Sequence, residues 1–156
     1  MNIPINKTLS RLVAIQILFQ LEFNEKMNLD KLNEINNKKI NKIYTSLKDI
    51  NIREFKGSSV DKIFFSSLVT KVFRNRDDID KKLTKNFVDD WSIDRMDFTL
   101  VNILRCAYIE FIEFSNTPKK VIVSEYTNIA ASFFNKSEVN FVNAFLDKFF
   151  SEDLKV

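Results

Sequence analysis

The reactive inventory of this chain is short: no histidine, one cysteine, and acids and bases that fall in local groups. Without histidine, the commonest general base and zinc ligand is missing, and Cys106 has no second thiol with which to form a disulfide or a metal pair. Cys106 sits in an apolar helical pattern, where a buried, inert thiol is expected. Asp77, Asp78 and Asp80 gather three carboxylates, but no glycine is present to turn a calcium loop, so they are expected as a solvated acidic surface. Arg105 interrupts an apolar run, where a guanidinium must reach out to water or meet a carboxylate. Glu110, Glu125 or a helix C-terminus are the candidate partners, and a structural pairing is expected because arginine does not carry protons at neutral pH. Lys7 and Arg11, four residues apart, share one helix face, which taken alone describes a solvated helix edge. The group Lys38, Lys39 and Lys42 is likewise expected as a solvated face rather than a phosphate track.

Composition narrows the field further. One Gly and 2 Pro against 16 Phe leave little material for glycine-rich phosphate loops or tight hairpins and much for a helical core. At 156 residues and 45% hydrophobic content, the expectation is one domain spanning 1–156. The net charge of +3 does not make the molecule a polycation, so any nucleic-acid binding must come from local patches. The basic excess lies in residues 26–60, with 8 basic and 4 acidic side chains. No apolar run reaches the length of about 20 residues that a membrane span needs, and the polar start lacks a signal-peptide core. With a lone cysteine, these features point to a reducing cytoplasm and no membrane.

Positioning these residues falls to helices. From Lys7 to Glu25 the apolar spacing of Leu9, Leu12, Val13, Ile17 and Phe23 predicts a central helix. Residues 26–58 are polar, with weak stripes at Leu29, Leu32 and Ile35 and then at Ile40, Ile43, Tyr44 and Leu47, which predicts one or two short peripheral helices ending before Gly57. Val60 to Phe73 reads as a helix with Ser59 and Asp61 at its start, followed at Arg74–Asp80 by a kink or a short link into another helix ending near Phe87. After Trp91, Ser92 or Asp94 can cap a long helix whose apolar face runs from Met96 to Phe111. Thr117 is placed to cap and Pro118 to open the closing pair, two helices over 117–150 joined at Phe134 to Ser137. In the last helix Val139, Val142, Leu146 and Phe149 form the inward stripe, and Phe141 lies off it. The total is about six or seven helices with no convincing strand, an all-α fold.

Several short patterns then agree on one family. Through SRLVAIQILFQLEF near the start, WSIDRMD and NILRCAYIEF in the middle, and TPKKVIVSEYTNIAASFF with FVNAFLDKF at the end, the chain resembles the bacterial antitermination factor NusB family. The resemblance covers residues 91–150 best and residues 7–23 next. It implies two three-helix-like halves, no enzyme activity, no cofactor and no metal. It further implies binding of boxA-like RNA together with the ribosomal protein NusE, within the RNA polymerase antitermination complex that supports ribosomal RNA transcription. This chain departs from the family pattern in its N-terminal arm, where only Lys7 and Arg11 are basic, and at Phe133-Phe134 and Asn143-Ala144, where glycines are usual. In the light of the resemblance, the residues suited to RNA are Phe141 for stacking, Asn140 and Asn143 for base edges, and Lys136, Lys7 and Arg11 for a basic rim. Two other readings are a helical protein-interaction module with little RNA affinity and a relative of the NusB-like domain of RNA cytosine methyltransferases.

Overall fold

The computed structural model describes residues 4–27, 35–47, 57–88, 91–114 and 116–152. Among them are seven α-helices, one short 3-10 turn and no strand beyond an isolated parallel bridge between Ile5 and Ser59. The helices are α1 (Lys7–Lys26), α2 (Asn37–Leu47), α3 (Lys62–Arg74), α4 (Arg76–Thr84), α5 (Phe98–Glu113), α6 (Lys119–Phe133) and α7 (Lys136–Glu152). The expected all-α class and helix count are thereby met. The Leu29 and Leu32 stripe falls outside the described residues.

Two compact units make up the chain, Met1–Arg74 and Asn75–Val156. In the first, α1 packs mainly on α3 and also on α2. Its core is aliphatic and aromatic: Ile15, Ile17, Leu18 and Leu21 of α1 are buried, as are Ile40 of α2 and Phe65, Leu68 and Val72 of α3. Burying side chains of this kind contributes about 1.5–3 kcal/mol each before chain entropy is set against it.

In the second unit α5 is the central helix, in contact with α4, α6 and α7, and every residue from Leu100 to Glu110 is buried. A helix buried all round must satisfy its polar groups internally. Arg105 does so in α4: its Nε donates to Asp80 Oδ1 at 2.8 Å and its Nη2 to Asp80 Oδ2 at 2.7 Å. Its Nη1 donates to Asn102 Oδ1 at 3.1 Å. A carboxylate partner is therefore Asp80, one member of the Asp77, Asp78 and Asp80 group, which turns toward α5 and is only partly exposed rather than fully solvated. Glu110 accepts from the Tyr126 hydroxyl of α6 at 2.8 Å, both residues being buried. Cys106, the one cysteine of the chain, is buried and forms no disulfide, as expected.

The helix starts differ by a residue or two from the sequence reading. Asp97 caps α5, accepting from the Thr99 N–H at 2.7 Å, in place of Ser92 or Asp94. Pro118 occupies the cap of α6 rather than its first turn. The α6–α7 turn is made by Phe134 in an extended conformation (φ −130°, ψ 171°), which needs no glycine.

Candidate nucleic-acid interface

In the first unit, the start of α1 is anchored to the start of α3. Asn6 caps α1 through Oδ1, which accepts from the Leu9 N–H at 2.9 Å, and its own N–H donates to the Ser59 carbonyl at 2.8 Å. The buried Ser10 hydroxyl donates to the Asn6 carbonyl and accepts from the Asp61 N–H, each at 2.8 Å. Asp61 in turn caps α3, its Oδ1 accepting from the Phe64 N–H at 3.0 Å. The Phe64 N–H bond, followed by the Lys7 ammonium, holds the Asp61 carboxyl below its ordinary value of 3.8.

This lattice fixes both N-terminal cations. Lys7 Nζ lies 2.9 Å from Asp61 Oδ2 and 3.9 Å from the centre of the Phe64 ring, with its side chain about half exposed. Arg11 lies one turn on, but only 3% of it is exposed, and its guanidinium carbon is 5.8 Å from the Phe64 ring centre. The solvated edge expected for this pair is thus half realised: Lys7 faces water and Arg11 is enclosed. Cations over a ring face are held by the ring quadrupole, so Phe64 organises both charges.

In the second unit, α7 supplies the remaining expected residues. Lys136, Asn140 and Asn143 are exposed and, at positions i, i+4 and i+7, line one face of the helix. Phe141 is half-buried, and its ring stacks on Trp91 with centroids 4.0 Å apart and planes inclined by 16°. Phe87 and Phe145 are tilted neighbours of Phe141, with ring centres 6.0 and 5.6 Å away. The inward stripe is as expected at Val142, Leu146 and Phe149, with Phe145 and Phe150 added to it and Val139 only half-buried.

Beside this stack runs a groove of about 540 Å³. Its floor is aromatic, from Phe87, Trp91, Phe141, Phe145 and Phe149, and its edges carry Lys85, Lys148, Asn86, Asn140 and Ser137. Two of the α7 residues expected at a binding site, Asn140 and Phe141, line it, whereas Lys136 and Asn143 do not. The residues that periodicity did not single out are Trp91, Phe87, Lys85 and Lys148. The repeat Phe141, Phe145, Phe149 at four-residue intervals was the available signal, since two of its rings face a groove as well as a core. An aromatic floor with cations and amides at its edge suits a flat, anionic, hydrogen-bonding ligand. Among the described residues no group of three or more Cys, Asp or Glu is placed to hold a metal ion, and no helix is long and apolar enough to cross a membrane.

The profile of the NusB family matches residues 8–151. A transcription antitermination protein NusB from Rickettsia bellii is 33% identical over 147 residues, covering 94% of this chain and 91% of its own length. That of Sphingopyxis alaskensis is 30% identical over 142 residues, with 91% and 90% covered. Among solved structures, T. maritima NusB superposes with a TM-score of 0.72 at 21% identity, over 96% of this chain and 93% of that one. A chain from a crystal structure of antitermination factors NusB and NusE in complex with dsRNA gives 0.67 at 19% identity, with 92% and 95% covered.

Proposed function

Because the chain belongs to the NusB family, we propose that it is a transcription antitermination factor that binds boxA-like single-stranded RNA together with NusE. It works in the cytoplasm as part of the RNA polymerase antitermination complex, supports ribosomal RNA transcription, and carries out no catalysis. The relative solved with NusE and RNA supports the choice of partners.

The observation that carries the RNA reading is the Trp91–Phe141 stack at the aromatic groove. Single-stranded RNA is recognised by stacking unpaired bases on aromatic rings and by hydrogen bonds to their edges. Phe141 presents the ring, Asn140 and Asn143 present amides that both donate and accept, and Lys136 supplies a phosphate contact beside them. Lys7 does the same in the first unit, with Arg11 beneath it holding Phe64 and adding positive potential.

The test is a titration of a boxA-like RNA against the full chain, with and without NusE. Binding that tightens when NusE is present is the expected result, and Phe141→Ala weakens it by roughly tenfold, the stacking of one base contributing about 1–3 kcal/mol. Absence of RNA binding in both arms overturns the reading and leaves a protein-interaction module.

A further inference from the structure

The charge of the first unit is concentrated on two helices. α2 carries Lys38, Lys39 and Lys42, α3 carries Lys62, Lys71 and Arg74, and neither helix contains a single Asp or Glu. Since the whole chain is only +3, everything outside these two helices is net negative. Solvated helix faces usually interleave both signs, because pairs at i, i+4 then stabilise the helix and like charges destabilise it. Six cations without an acid on two neighbouring helices are held together against that preference.

The two helices meet at Tyr44, whose ring centre lies 5.1 Å from that of Phe65 and 5.4 Å from Lys62 Nζ. On either side of α2 runs an open groove. One, of about 530 Å³, lies along α3 and includes Lys62, Ser66, Thr70 and Arg74, with Asn37 and Asn41 facing them from α2. The four α3 residues recur every four positions on one face and span about 18 Å at 1.5 Å per residue. The other groove, of about 700 Å³, lies toward α1 and takes in Lys38 and Lys42 with Asn24, Asn36 and Gln20. No carboxylate lines either groove among the described residues.

We propose that the α2–α3 surface is a second RNA-binding site, a sequence-independent track for the sugar-phosphate backbone of RNA flanking the segment read elsewhere on the protein. The chemistry fits in kind and in order: ammonium and guanidinium groups meet phosphates, and the hydroxyls and amides between them reach phosphate oxygens and 2′-hydroxyls. The floor offers no aromatic ring for bases, so the track takes the backbone and leaves the bases unread. The inference rests on the RNA reading above for the identity of the polyanion, and its site shares no residue with the one proposed there.

A short oligouridine, which contains no boxA-like order, is the discriminating probe. The full chain is titrated with it across a salt series, beside the variant Lys38→Ala/Lys42→Ala/Arg74→Ala. These side chains are exposed, and circular dichroism and the melting temperature report whether the fold is kept. The variant is expected to bind at least tenfold more weakly, with the slope of log K against log salt reduced by about 2, the value for three single-strand phosphate contacts. Lys38→Arg/Lys42→Arg keeps the charge and is expected to bind as the parent does. Oligouridine that does not bind, or that binds the alanine variant within twofold and with the same slope, overturns the track. The boxA-like titration with Phe141→Ala reads the other site, so either proposal can fail while the other stands.

Discussion

Arg11 and Lys7 show how far a side chain's role depends on what covers it. Both are cations on one face of α1, yet Phe64 and the α3 start leave Lys7 half in water and enclose Arg11. Lys7→Ala is therefore expected to reduce RNA affinity and the salt slope by about one contact while leaving the melting temperature nearly unchanged. Arg11→Ala is expected to lower the melting temperature by several degrees, because it removes buried packing as well as charge. Thermal melts beside RNA titrations separate the two. Asp61 adds a pH signature. Its folded carboxyl titrates below its ordinary value, so its ionised form contributes stability that is full above about pH 4 and is lost as pH falls through the lowered value. Asp61→Asn keeps a capping oxygen but loses the charge. The stability gap between parent and variant is expected to be under about 1 kcal/mol at neutral pH and to close in acid, as followed by urea unfolding at several pH values.

At the scale of elements, apolar spacing was a good guide to where helices lie. The helix expected from Lys7 to Glu25 runs Lys7–Lys26, and the break expected at Phe134 to Ser137 falls between Phe133 and Lys136. The link expected at Arg74–Asp80 is a single residue, Asn75, between α3 and α4. Periodicity reports which face is inward, but not which distant side chain meets it there. Arg105 was recognisably in need of a carboxylate, yet its partner, 25 positions earlier, could only be found once α4 was folded against α5. The same holds for Trp91, whose ring stacks on Phe141 50 positions later. The α4–α5 join gives a clear expectation. Removing Asp80 takes from the enclosed Arg105 the carboxylate that accepts two of its hydrogen bonds, so Asp80→Ala is expected to cost about 3 kcal/mol in chemical denaturation, more than Asp77→Ala or Asp78→Ala, which are exposed.

For the molecule as a whole, the proposed RNA contacts are spread over surfaces of differing chemistry: an aromatic and amide edge on α7, a lysine at the start of α1, and a basic face on α2 and α3, two helices that contain no acid. In this proposal the first reads bases and the others hold phosphates. That division was only partly legible in the sequence. Residues 26–60 were visibly basic, but solvation and phosphate binding look alike until the grooves are seen, with no carboxylate lining them among the described residues. The central claim, that RNA bases engage the Trp91–Phe141 stack, has a built-in reporter, because Trp91 is the one tryptophan of the chain. Trp91 emission, followed while a boxA-like RNA is added in the presence of NusE lacking tryptophan, is predicted to change saturably with the affinity obtained from labelled RNA. In Phe141→Ala the change is predicted to be lost or to move to higher RNA concentration. RNA that binds by its own label while Trp91 emission stays constant would contradict the account.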